Sequence, residues 1–139
     1  MAGTPSGGSS GRPRGGGLAA RWAPAVVWMG VIFLVSQQSD LPSLGFSLPD
    51  RAWHAAFYAV LGALLWWALR PAGTDRSPLR ALIAIGIGSA YGYADEVHQW
   101  FVPGRTYDPS DWAFDVIGVI AGVLLLALVA ARLRGRRGA

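Results

Sequence analysis

The sequence predicts an all-α fold, an integral membrane bundle of four transmembrane helices, and three observations predict it. Hydrophobic residues make up 53% of the 139-residue chain and charged residues 14%, against about 25% charged in an ordinary soluble domain. The apolar residues gather into four runs, each long enough or just long enough for the roughly 17–25 residues of a spanning helix. The arginines between those runs are biased strongly to one side. The same figures argue against a soluble enzyme, and the high hydrophobicity argues against a disordered chain. The net charge of +4 comes from residues that flank apolar runs rather than from a patch on an amphipathic face, so no nucleic-acid partner is expected. Cysteine is absent, which removes disulfides, thiolate metal sites and a Cys nucleophile.

Taken in order, residues 1–20 form a Gly/Ser/Pro-rich tail; the first 17 hold seven Gly, three Ser and two Pro and are too poor in apolar surface to fold. The helical domain is expected over 21–131 and an Arg-rich tail over 132–139. The first apolar run covers residues 22–36. Arg12, Arg14 and Arg21 precede it as in a signal peptide, but Val35-Ser36-Gln37-Gln38-Ser39 offers no small-x-small cleavage site, so an uncleaved anchor is expected. The second run, 52–69, is opened by Ser47-Leu48-Pro49-Asp50. The third, 79–102, is opened by Ser77-Pro78, a cap followed by proline at the first helical position, and is closed by Pro103-Gly104. The fourth, 112–131, is opened by Asp108-Pro109-Ser110-Asp111. The second and fourth openings are close to a capping box, with an acid three residues after the cap.

Orientation follows from arginine. Ten of the twelve Arg lie in the amino-terminal segment, the loop between the second and third runs, and the tail; Arg51 and Arg105 alone lie on the other side. The positive-inside rule then makes the chain a multi-pass plasma-membrane protein with both termini cytoplasmic. Seven of the eight acids, all but Asp75, lie on or near the outer side. Trp53, Trp100 and Trp112 would sit at the outer interface, and Trp22, Trp66 and Trp67 at the inner one.

Polar side chains collect at one depth. At about 1.5 Å per residue, Asp50 and His54 on the second helix, Asp95, Glu96, His98 and Gln99 on the third, and Asp111 and Asp115 on the fourth all fall within roughly 12 Å of the outer surface. Asp95, His98 and Gln99 share a face with Tyr91. Asp111 and Asp115 share a face with Gly118 and Gly122, whose GxxxG spacing, like that of Gly88 and Gly92, suits close helix packing. Asp115 is therefore expected to face inward. Ionisable groups at membrane depth are costly and pair with one another or line a cavity. A short echo, Asp50-Arg-Ala-Trp-His54 against Asp111-Trp-Ala-Phe-Asp115, begins two helices that would run in the same direction.

The segment Asp95-Glu96-Val97-His98-Gln99-Trp100-Phe101-Val102-Pro103-Gly104-Arg105 resembles the hallmark of the VanZ-like family, D-E-x-H-Q-x-F-x-P-x-R. Asp50-Arg51 followed by His54 and Tyr58 is similar to the family's acid–base pair and histidine. Asp111 and Asp115-x-x-Gly118 are similar to its acid and its Asn-x-x-Gly. The resemblance spans about residues 22–131. Arg51 stands where Lys is common and Asp115 where Asn is common; the second departure adds a titratable acid. The resemblance implies a helical membrane protein of the bacterial cell envelope, whose namesake is associated with resistance to the glycopeptide teicoplanin.

These residues lead to a polar site on the outer face. Asp95, Glu96, His98, His54 and Asp115 are the candidates for acid–base or metal chemistry. Asp50, Arg51, His54, Gln99, Arg105 and Asp111 are the candidates for ligand binding, with Arg105 as counter-ion of the acids and both Arg51 and Arg105 able to hold a phosphate. Asp50, Asp108 and Asp111 also read as plain capping acids. Three functions fit: an envelope factor that binds a lipid-linked cell-wall precursor or a glycopeptide; a membrane enzyme acting on a headgroup; and a proton or ion transporter, the least favoured because no polar set spans the inner half. Membrane lipids are the expected partners. The residues specify no cofactor, no metal and no oligomeric state.

Overall fold

A computed structural model describes residues 17–38, 50–70 and 78–136. Among them there are four helices and no strand: α1 (Leu18–Ser36), α2 (Asp50–Ala68), α3 (Pro78–Gln99) and α4 (Pro109–Gly135). The expected disorder of the amino-terminal tail and the caps at Ser47 and Ser77 lie outside the described residues. Two expected boundaries move. α1 begins at Leu18 and α4 reaches Gly135, so residues assigned to both tails are helical. Ala and Leu before Arg21, and Leu133 among the terminal arginines, are good helix formers that extend each helix past its most apolar part.

α1 and α4 are long and apolar enough to cross a membrane. α2 and α3 do not meet that test, because each spends a share of its length on polar groups: Asp50, Arg51 and His54 on α2, and Arg80, Asp95, Glu96 and His98 on α3. The expected four helices are present, and two of them are apolar enough to span on composition alone. Together the two apolar helices indicate membrane association.

Chain neighbours run antiparallel. Gly88 packs on Val119 and Gly92 on Asp115, which sets α3 against α4. Tyr58 reaches Asp95 while Arg80 stacks on Trp66 with 4.4 Å from guanidinium carbon to ring centre, which sets α2 against α3. α2 and α4 are consequently parallel, and their contact is backbone on backbone. A Cβ on Gly118 or Gly122 would strike the carbonyls of Ala55 and Ala59, and one on Gly62 would strike that of Val119. Small residues at these positions let the two helices approach this closely. The core runs along this seam through Tyr58, Leu61, Leu65, Val119 and Val123, with Ala25 and Ile32 of α1 and Ala84 of α3 closing it.

Trp66 departs from expectation. It is 4% exposed and belongs to the core rather than to an interface belt. Its ring is large enough to fill the Arg-rich end of the bundle, and the Arg80 guanidinium over its face supplies the polar contact that an interfacial tryptophan would take from headgroups.

Candidate functional site

The up-down order of the helices brings the carboxyl ends of α1 and α3 together with the amino ends of α2 and α4. The polar residues predicted for a single layer therefore meet at one end of the bundle. They meet there as two groups, not one.

The first group surrounds Asp95, which is 4% exposed. Its Oδ2 accepts from Ser36 Oγ at 2.7 Å, from Gln99 Nε2 at 3.3 Å and from Tyr58 OH at 3.4 Å. Ser36 Oγ also lies 2.9 Å from the Ile32 carbonyl one turn back. Donors from α1, α2 and α3 thus converge on one oxygen. Tyr91, on the same face of α3, donates to the Met29 carbonyl of α1 at 2.6 Å. His98 lies on this side too, with its ring 4.7 Å from that of Phe33 and its buried Nε2 without a hydrogen-bond partner among the described residues.

The second group lies between α2, α3 and the start of α4. Glu96 and Asp115 are fully buried. His54 Nδ1 and Asp115 Oδ1 are 3.0 Å apart in a hydrogen bond; the carboxylate selects the tautomer with its proton on Nδ1. Glu96 Oε2 accepts a long bond, 3.4 Å, from the backbone N–H of Asp108, while Glu96 Oε1 and Asp115 Oδ2 have no partner among the described residues. One ligand-type atom from each of His54, Glu96 and Asp111 lies within 4.8 Å of the other two. Gly92 makes room for this group: a Cβ there would come to 3.2 Å from Asp115 Oδ2 and from the Tyr58 ring.

Asp108 caps α4. Its Oδ1 accepts from Ser110 N at 2.8 Å and from Ser110 Oγ at 2.7 Å. Those bonds, with Arg51 and His54 adding a favourable field, hold its carboxyl below the ordinary value of 3.8. The expected capping box does not close. In that motif the acid three residues on bonds the N–H of the cap; here Glu96 takes the Asp108 N–H, and Asp111 turns to Arg51 instead. Arg51 Nε stands 3.7 Å from Asp111 and Arg51 Nη2 3.8 Å from Asp108, half exposed at the mouth of the group.

Two expectations change. Arg105 makes no ion pair with an acid among the described residues; its backbone N–H closes a turn on Val102 and its Nε is buried without a partner. Gly104, with φ of 83°, turns the chain there, and Arg51 supplies the cation instead. His98 stands apart from His54 because α3 turns its 95/98/99 face toward α1. The side chain of Asp50 is outside what the structure describes.

The family model for VanZ/LLP1 matches residues 22–130. The chain belongs to the VanZ/LLP1 family. No curated protein and no solved structure matches it. In this VanZ/LLP1 chain the hallmark segment 95–105 is divided between the two polar groups, with Asp95, His98 and Gln99 on one side and Glu96 on the other. Two contributors were missed in the sequence. Ser36 is a hydroxyl at the end of an apolar run, where it read as the edge of a span; its position four residues after Ile32 was the available signal. Gly92 read as a packing residue, and its GxxxG spacing carried no hint that it borders a buried acid.

Proposed function

We propose that this VanZ/LLP1 protein is a four-span protein of the plasma membrane with both termini cytoplasmic, and that its polar end faces outward and binds an anionic headgroup of a lipid or lipid-linked cell-wall precursor. One observation carries this reading: buried acids and His54 gather at one end of an otherwise apolar bundle, with Arg51 at their edge. The arginine asymmetry of the sequence supports the orientation, and a guanidinium at the mouth of the group suits a phosphate. Carriage of α2 and α3 across a membrane is helped by the burial of Asp95 and Glu96 and the partial burial of His98 of α3 and His54 of α2 between helices, with Arg51 at the edge. Family membership supports a role in the cell envelope, and protection against teicoplanin-type glycopeptides is the phenotype to look for.

The test has two parts. A periplasmic-type reporter fused after Gly104 should be active and a cytoplasmic-type reporter fused at the carboxyl terminus should be active; the reverse pattern overturns the orientation. Mass spectrometry of lipids bound to the protein in mild detergent should find an anionic headgroup enriched on the wild type and lost from Arg51→Ala. Equal lipid content in both overturns headgroup binding.

A second reading is favoured by one specific contact. The His54–Asp115 pair beside Glu96 is the arrangement of an oriented general base next to a second acid–base group, which fits an enzyme acting on the same headgroup. Turnover of a lipid-linked phosphate by purified protein, abolished in His54→Gln, would favour it over simple binding.

A further inference from the structure

We propose that His54, Glu96 and Asp111 are the ligands of one divalent transition-metal ion of the Zn²⁺ or Mn²⁺ class, and that Asp115 is the positioning residue that orients the His54 imidazole toward it.

Ligand geometry comes first. Three donor atoms from three helices lie within 4.8 Å of one another. Around a tetrahedral ion with bonds of about 2.1 Å, ligand atoms stand roughly 3.4 Å apart. The excess over that spacing is at most about 1.4 Å between any two of the atoms.

The second observation is independent of the spacing. Glu96 is 0% exposed, and its Oε1 has no hydrogen-bond partner among the described residues. Its other oxygen holds one long bond. A buried carboxylate oxygen left without a donor costs free energy unless something positive meets it. No arginine contact to Glu96 or Asp115 is seen among the described residues; the ion pairs of Arg51 are with Asp108 and Asp111.

The third is the arrangement around the imidazole. His54 Nδ1 is engaged by Asp115 at 3.0 Å, which leaves Nε2 as the ring nitrogen with a lone pair to give. A metal-bound histidine commonly donates its other N–H to a carboxylate in this way, and that carboxylate fixes the tautomer and raises the basicity of the ligand. Asp111 does not hold the N–H of the α4 cap, which Glu96 takes, and its ion pair with Arg51 is a loose 3.7 Å through Oδ1.

The donor set decides the class of ion. One imidazole and two carboxylates, with no sulfur anywhere in the chain except its two methionines, suit Zn²⁺ or Mn²⁺ and not a soft ion such as Cu(I). With three protein ligands a coordination position is left for an outside oxygen, so an anionic headgroup could complete the shell. The inference does not need that: an ion without headgroup binding leaves it standing, and headgroup binding without an ion refutes it alone.

The experiment uses the full chain purified in detergent, stripped with a chelator, and titrated with Zn²⁺ or Mn²⁺. Metal content by mass spectrometry should reach one ion per chain, and bound Mn²⁺ should lose the spectrum of the free ion in electron paramagnetic resonance. Glu96→Gln and Asp111→Asn should hold no stoichiometric ion. Asp115→Asn should bind about 10–100-fold more weakly, the effect of losing an outer-shell carboxylate. Asp95→Asn, in the neighbouring group, should bind as the wild type does. Circular dichroism establishes which variants are folded. If Glu96→Gln is not, Asp111→Asn at the partly exposed start of α4 decides. Wild-type protein that takes up neither ion, or a folded Asp111→Asn that binds as tightly as wild type, overturns the proposal.

Discussion

Asp95 and Glu96 are adjacent in the chain and differ in nearly everything else. One helical step turns Asp95 toward α1, where Ser36, Tyr58 and Gln99 all point hydrogens at a single oxygen. The same step turns Glu96 toward α2 and α4, where it meets one distant amide, an imidazole and a second acid. Asp95 is a keystone: its donors come from three helices, and the acid is what they share. Each acid keeps one buried oxygen without a partner among the described residues, but the other oxygen of Glu96 holds a single long bond where that of Asp95 holds three, and the less engaged buried carboxylate is the one with chemistry to offer. Burial alone does not separate the two. The number and source of the donors does.

Several substitutions would break or sharpen this contrast. The largest effect lies outside both groups, where the seam beneath them is tightest. Gly122→Leu forces a side chain into the Ala59 carbonyl; ordinary overpacking costs roughly 1–3 kcal/mol, and here the obstacle is backbone that cannot yield without parting α2 from α4, so little folded protein should survive gel filtration. Asp95→Ala comes next. It strands the buried donors of Tyr58 and Gln99, each costing about 1–3 kcal/mol when left without an acceptor, while Ser36 falls back on the Ile32 carbonyl, and it should lower the melting temperature in detergent far more than Glu96→Gln does. Equal losses from the two would erase the distinction drawn between them. Tyr58→Phe removes a single 3.4 Å bond and should cost only about 0.5–1.5 kcal/mol, with the second group untouched.

The smallest effect is a pH dependence at the α4 cap. Asp108 is held below 3.8 in the folded protein, so the unfolded chain binds its proton first as pH falls. The stabilisation is complete above the unfolded value, and it is lost as pH drops through the lower folded value. Melting curves of the wild type should therefore fall below pH 4, and Asp108→Asn should flatten that part of the profile. An unchanged acid limb in the variant would place the dependence elsewhere.

Much of this was legible in the sequence. Apolar runs with Pro and Gly at their ends located the four helices, and rise per residue placed the polar layer at one end. The face shared by Asp95, His98, Gln99 and Tyr91 was correctly grouped, but the partner of that face was not, because α1 has almost no polar residue to advertise it; Ser36 was the one mark. Asp111 read as a capping acid because the local spacing favours a capping box. Asp111 does lie in the first turn of α4, but the reciprocal bond of the box goes instead to the Glu96 carboxylate arriving from another helix, and no local pattern encodes such a contact. Trp66 was misplaced for the same reason, since its position near a cluster of arginines looks interfacial until α3 covers it with Arg80.

The glycine seam between α2 and α4 has a mechanical consequence. Where backbone rests on backbone there are no side chains to swing, and two helices so joined do not slide or pivot against each other without losing the whole contact. Any widening of the acidic end must come from displacement of α1 or α3, and α1 is the more weakly held, with Ala25, Ile32 and Ser36 as its buried residues. Its last turn carries the hydroxyl that seals Asp95, so the first helix is the natural door and the welded pair its frame.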